Sequence, residues 1–184
     1  MELAVTSRGY CCRVASRDRL RLRRIASKEE LGPAVALARE FGDWVTERIR
    51  VELGIVVPPS ADHSTAVLDE VLDSGGRLYV AEVDGEAAGV GGLKLLGDTV
   101  GEIKRMYVRP SAQGLGIGRA IVERLIGDAR AFGCETIFLE SALFMHPAHA
   151  LYRSVGFVAS GAYPGREFEG APHDVSVFMR LDLV

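Results

Sequence analysis

The segment Val108–Arg119 has the composition of an anion-binding loop. A strand pattern ends at Val108, glycines stand at positions 114, 116 and 118, and an amphipathic helix pattern begins at Gly116. The unpaired N–H groups and the positive dipole end of a helix start favour phosphate, and glycine lets a diphosphate approach the backbone. The residues predicted to hold it are Gln113, Gly114, Leu115, Gly116, Ile117, Gly118 and Arg119.

Two common phosphate loops do not match this segment. A dinucleotide fingerprint that starts at Gly116 requires a third glycine where Ile121 stands. A Walker loop requires Gly-Lys-Ser/Thr where Gly118-Arg119-Ala120 stands. The loop is therefore of a different type.

The strand before the loop changes phase. Ile103 lies on one parity, whereas Met106 and Val108 lie on the other, so the apolar face shifts by one residue. An inserted residue restores the phase, which predicts a β-bulge. The alternative is a regular strand in which Lys104 and Arg105 are simply exposed.

A later segment has helical spacing followed by a glycine. Ala148, Leu151, Tyr152 and Val155 form one apolar stripe, and Gly156-Phe157 follows. By periodicity alone, Tyr152 is an ordinary core aromatic residue.

Taken together, these motifs resemble the GNAT superfamily of N-acetyltransferases. Gln113-x-x-Gly116-x-Gly118 resembles its coenzyme A pyrophosphate loop, and residues 148–157 resemble its Ala-x-x-Leu-Tyr-x-x-x-Gly-Phe helix and strand. The resemblance runs from about Leu20 to Leu181. It implies an α/β fold, the GNAT-like acyl-CoA N-acyltransferase fold, with a central mixed, mostly antiparallel sheet flanked by helices.

The resemblance also implies a mechanism. The acetyl group of acetyl-CoA moves to a primary amine by direct attack, without a metal. Tyr152 takes the place of the general acid, and Glu102 that of a base that acts through water. From the residues alone, His146 and His149, at the start of the same helix pattern, stay open as alternative bases. Backbone N–H groups around Met106, Tyr107 and Val108 hold the thioester. One position departs from the family pattern, since Met145 stands where the family commonly has Asn.

The acceptor stays open at this stage. Arg105, His149 and Arg166 are candidates for substrate binding, and arginine suits a carboxylate. An amino-acid-like metabolite, a polyamine and an aminoglycoside are all compatible with the sequence. A protein or peptide N-acetyltransferase and a non-catalytic acyl-CoA sensor are the alternatives.

Composition narrows the class of protein. The 184 residues carry a formal charge of −3, which gives no general attraction to nucleic acid or anionic membranes. The chain has 3 cysteines, and their spacing fits neither a disulfide framework nor a metal site. No membrane span or signal peptide is apparent, so we expect a cytoplasmic protein.

The remaining patterns predict one domain over residues 19–184, preceded by a flexible arm at residues 1–18. Ser27 and Glu30 form a capping box before a helix, and Asp43 is expected to start a second helix. The turn Asp84-Gly85 predicts a β-hairpin. A homodimer is compatible with the family resemblance, although no residue identifies its interface.

Overall fold

The computed structural model describes residues 20–56, 63–164 and 176–183. The expected arm at residues 1–18 lies outside these ranges. The helices and strands are, in chain order, β1 (Leu20–Ile25), α1 (Gly32–Leu53), α2 (His63–Asp73), β2 (Arg77–Val83), β3 (Glu86–Leu95), β4 (Val100–Val108), α3 (Ile117–Ala131), β5 (Thr136–Ala142), α4 (His146–Ser154), β6 (Val158–Ala159) and β7 (Ser176–Asp182). None of the helices in the described ranges has an apolar stretch long enough to span a bilayer.

The described strands form one mixed sheet in the order β1-β2-β3-β4-β5-β7-β6. β4 and β5 run parallel, and the other neighbouring pairs are antiparallel. The parallel pair requires a crossover, which α3 supplies. The expected mixed, mostly antiparallel sheet flanked by helices is confirmed.

Each face of the sheet has its own apolar core. α3 and α4 cover one face, where Ile121 and Leu125 of α3 pack with Leu139 and Met179 of the sheet. α1 and α2 cover the other face, where Leu37 and Leu68 pack with Val90. We call these the α3 face and the α1 face.

The start of α1 differs from the prediction. Glu30 does reach back to a backbone N–H, but its carboxylate accepts from Ala26 and not from Ser27. Residues 28–30 form a 3-10 turn, and α1 begins at Gly32. The second helix expected at Asp43 is wrong, because α1 continues without interruption to Leu53.

Candidate active site

An opening in the sheet lies between β4 and β5. The two strands pair from Val100↔Thr136 to Ile103↔Leu139, and no further pairing between them occurs in the described residues. β4 nevertheless continues to Val108, and β5 to Ala142. Backbone groups of β4 after Ile103 therefore have no partner in the described part of β5, and such groups are suited to hydrogen-bond a ligand.

The opening begins where β4 bulges. Lys104 pairs with Gly92 and Tyr107 pairs with Val90, so β4 has one more residue than β3 in this interval. Arg105, within the bulge, has a φ of 53°, a left-handed conformation that is unusual for a residue other than glycine. The predicted bulge is thus observed.

The bulge separates the side chains of neighbouring residues. Met106 lies on the α3 face, and Tyr107 packs on the α1 face. Lys104, exposed in the alternative without a bulge, is only 5% exposed. Both sides of the sheet therefore contribute side chains close to the opening.

The predicted anion loop lies at the start of α3. The backbone N–H groups of residues 114–119 donate no hydrogen bond to the described residues. No side chain caps the helix, whose N-cap is Gly116. These free donors and the helix dipole make the loop suitable for a phosphate.

The glycines of the loop have two different roles. Gly114 and Gly116 have φ values of +82° and +81°, which disfavour other residues. At Gly118, a Cβ atom would lie 3.2 Å from Leu151, so this glycine allows α3 to approach α4 closely. The side chain of Gln113 donates to the carbonyl of Val108 at 3.3 Å, and that of Arg119 to Ser154 at 2.7 Å.

Tyr152 lies on α4 within the core of the α3 face. Its side chain is 5% exposed and packs against Phe157 with 5.8 Å between the ring centroids. Burial raises the pKa of its phenol well above the ordinary value. Its hydroxyl makes no hydrogen bond with another described residue.

His149 lies on the same face as Tyr152. It is 3% exposed, and its Nε2 lies 3.1 Å from the Ser141 hydroxyl. Burial lowers the pKa of His149, as do the charges of Arg153 and His146. Met145 takes part in the same contact, because the Ser141 hydroxyl lies 3.4 Å from its sulfur.

Glu102 lies on the α1 face, next to the point where β4 and β5 separate. It is fully buried, and its Oε1 accepts hydrogen bonds from Tyr163 at 2.7 Å and Lys104 at 2.9 Å. Burial raises the pKa of Glu102 above its ordinary value, although Lys104 and Tyr163 oppose this effect. Lys104 and Tyr163 were not among the predicted site residues, although alternation along the strand places Glu102 and Lys104 on one face.

An aromatic cluster spans the opening on the α1 face. It consists of Phe41, Trp44, Tyr107 and Phe144, with centroid distances of 5.6 to 6.3 Å between neighbouring rings. α1 thereby contacts both the end of β4 and the loop after β5. No sequence pattern predicts the cluster, because its members come from distant parts of the chain.

A second contact joins α1 to β4. Arg109 donates two hydrogen bonds to the carboxylate of Glu40, at 2.6 and 2.9 Å, and one to the carbonyl of Ala87. The Arg109 guanidinium lowers the pKa of Glu40. This contact holds α1 near the opening.

The predicted residue Arg166 lies outside the described residues, as does the rest of 165–175. Within the described ranges, no three side chains of His, Cys, Asp or Glu lie together as a metal site requires.

Comparison with known families agrees with this geometry. The family described as "Acetyltransferase (GNAT) family" matches residues 43–157. The IAA acetyltransferase of Azospirillum brasilense is 33% identical over 159 residues, which cover 82% of this chain and 99% of that protein. The aminoglycoside N(6')-acetyltransferase type 1 of Stenotrophomonas maltophilia is 32% identical over 109 residues, 54% of this chain and 71% of that protein.

Solved structures include a Bacillus subtilis acetyltransferase in complex with CoA. It is 26% identical in sequence and superposes with a TM-score of 0.54 over 67% of this chain and 86% of its own. The resemblance inferred from the loop, the bulge and the tyrosine segment is thereby confirmed.

Proposed function

The chain belongs to the GNAT family of acetyltransferases, and from this premise we propose that it transfers the acetyl group of acetyl-CoA to the primary amine of a small molecule. The observation that carries the proposal is the opening between β4 and β5, with free backbone donors at the start of α3 and a buried carboxylate on the α1 face. The names of the two relatives support a small-molecule acceptor.

Acetyl-CoA fits the opening in two respects. The N–H groups of residues 114–119 suit its diphosphate, with Gln113 beside them. The gap beside Met106, Tyr107 and Val108 suits an extended chain that ends in a thioester, whose carbonyl oxygen needs N–H donors. The binding of CoA by the related Bacillus subtilis protein is consistent with this assignment.

The reaction requires two proton transfers at different places. Glu102 removes a proton from the acceptor ammonium, directly or through one water, and the neutral amine attacks the thioester carbonyl. A C–N bond forms and the C–S bond breaks. Tyr152 protonates the departing sulfur and recovers a proton from the attacking nitrogen. The products are an acetamide, CoA and the proton that Glu102 releases to solvent.

The surroundings of Tyr152 suit a proton donor. Its raised pKa keeps the phenol protonated over the working pH range, and its hydroxyl is free of other described partners. Glu102 lies on the α1 face, so acid and base approach the opening from opposite sides of the sheet.

The α1 face favours an acceptor with one amine and an apolar body. The aromatic cluster offers a ring surface at Trp44, which is 42% exposed, and Arg48 lies 5.5 Å above the ring of Phe144. Arg48 is paired with Glu52 and Lys104 with Glu102, so the ring surface is the feature that distinguishes acceptors. An apolar ring surface suits a single amine on an aromatic or alkyl body better than a polyamine or an aminoglycoside, whose further charges must stay hydrated. We therefore favour an amino-acid-like or arylalkyl amine, whose apolar body suits the ring surface at Trp44.

Two experiments test the proposal. Calorimetric titration should detect saturable binding of acetyl-CoA and CoA, and none of NAD as a nucleotide control. Thiol release from acetyl-CoA should then be measured with aromatic amino acids, phenethylamine, spermidine, kanamycin and a short peptide. The highest kcat/KM with spermidine or kanamycin would refute the preference for a monoamine, and the highest value with the peptide would favour a peptide acceptor.

Binding of acetyl-CoA without turnover on any amine would support the sensor alternative. No binding at all would remove the assignment of the opening to acetyl-CoA.

A further inference from the structure

The carboxylate of Glu102 has two oxygen atoms in different situations. Oε1 accepts hydrogen bonds from Lys104 and Tyr163 at 2.9 and 2.7 Å. Oε2 is also buried but has no hydrogen-bond partner among the described residues. Because buried polar atoms are nearly always paired, Oε2 is the atom available to a bound molecule.

This carboxylate lies at the edge of the opening. Glu102 pairs with Phe138 of β5, and the strands separate after the next pair, Ile103↔Leu139. The ring of Tyr163 stacks on that of Phe138 at 4.6 Å, so the tyrosine is held in place while it bonds to Oε1. Because Glu102 lies on the α1 face, an acceptor amine that approaches from that face need not cross the sheet.

The charges around Glu102 come from several elements. Burial is the strongest influence on its pKa and favours the protonated acid, and Lys104 is the strongest influence in the opposite direction. Lys94 of β3 contributes in the same direction from a greater distance, and its ammonium is bonded to Glu70 of α2. Further polar or charged groups on the same face are Tyr163, Glu140 of β5 and Arg180 of β7.

We infer that Lys104 is a positioning residue for the proposed acetyl transfer: with Tyr163 it holds Oε1 of Glu102, places a positive charge beside the buried carboxylate and leaves Oε2 to receive the proton of the acceptor amine. The inference rests on the proposed function. The proton moves from the ammonium nitrogen to Oε2, which gives a neutral amine and a protonated Glu102. Lys104 keeps its own proton throughout.

The test is the pH dependence of kcat/KM in K104M, whose side chain is similar in length but neutral. Wild-type activity should fall with decreasing pH as Glu102 becomes protonated. Without the Lys104 ammonium, less positive charge opposes the effect of burial on the pKa of Glu102. The acid limb of the kcat/KM profile should therefore move to higher pH by about one unit or more. The smaller change Y163F should move it in the same direction by less. An acid limb unchanged in both variants overturns the inference.

A double variant separates positioning from general loss of structure. If Lys104 acts through Glu102, K104M should reduce kcat/KM no further in an E102Q background. A multiplicative loss in the double variant would mean that Lys104 acts independently, which overturns the inference.

Infrared titration gives a readout that does not need turnover. The infrared band of protonated Glu102 is identified as the carboxyl band that is absent from E102Q. It should appear at higher pH in K104M than in the wild type. If K104M does not fold, the same comparison should be made with Y163F, where the band should also appear at higher pH. The same band position in all folded variants overturns the inference. Failure of the proposed function is distinguishable, because the wild type would then release no thiol with any amine.

Discussion

The two faces of the sheet place different kinds of chemical group beside the opening. On the α3 face, the predicted contacts to a ligand are backbone N–H groups at residues 114–119, with one buried phenol at Tyr152. On the α1 face, the contacts are side chains, with Glu102, Lys104 and Tyr163 at the centre. Backbone recognition depends on a short run of sequence, whereas Tyr163 lies 61 residues after Glu102. One face can thus be recognised locally, and the other depends on the folded chain.

The largest expected effect is on the α1 face. E102Q keeps the shape of the side chain but removes the proton acceptor, so we expect kcat/KM to fall about 1,000-fold. Affinity for acetyl-CoA should change less than about 3-fold, because Glu102 lies on the other face. Thiol-release kinetics and calorimetry measure the two quantities. E140Q is the matched control, since Glu140 lies on the same face and bonds to Ser176. A larger loss in E140Q than in E102Q would assign the base to Glu140.

The next effect is on the α3 face. Y152F should lower kcat about 100-fold with little change in acetyl-CoA affinity, because the phenol acts as sulfur leaves. Any alkaline limb of the pH profile should be the same in the variant, since burial keeps the Tyr152 pKa above the working range. Y79F removes another buried hydroxyl, bonded to Asp128 away from the opening, and should retain activity. Full turnover in Y152F would make Tyr152 a core residue only.

A backbone change tests the loop without altering charge. Gly116 has a φ of +81°, so G116A introduces strain of about 1–2 kcal/mol at the start of α3. We expect the acetyl-CoA Kd to rise about 10-fold and kcat to change less. G127A is the control, because Gly127 has open space in the interior of the same helix and alanine favours helices. Equal effects of the two variants on Kd would contradict a role for the loop backbone.

The smallest effect concerns the contact that joins α1 to β4. R109Q removes the ion pair with Glu40, which is partly exposed, and should lower the free energy of unfolding by about 1 kcal/mol at neutral pH. Arg109 lowers the pKa of Glu40, so this stabilisation is present above the ordinary value of 4.5 and is lost as pH falls through the lowered value. Thermal unfolding of both proteins across this range measures it. A difference that grows in acid would contradict the ion-pair explanation.

Sequence patterns predicted the elements whose signals lie within a few residues better than those that depend on distant contacts. The β2–β3 hairpin and the helix from Ile117 to Ala131 match their turn and cap signals, because these signals act within a few residues. α1 was predicted as two helices because Asp43 resembles a helix start. In the structure its carboxylate is exposed and the helix continues to Gly54, whose φ of +67° ends it.

For the site, the phase change of the apolar pattern indicated the bulge but left the regular strand open, and the register of β3 and β4 decided between them. Periodicity did not predict the burial of Lys104, whose side chain is exposed in the alternative without a bulge. Its burial depends on the helices that cover the α1 face and on its pairing with Glu102.

The sequence by itself therefore indicated the glycine loop before α3, the phase change of β4 and the helix that carries Tyr152, because glycine conformations, strand alternation and helix periodicity are local properties. Only the tertiary structure decided where β4 and β5 separate, which oxygen of Glu102 lacks a partner among the described residues and which aromatic rings span the opening. These features depend on strand order and on contacts between residues far apart in the chain, and such contacts have no local pattern.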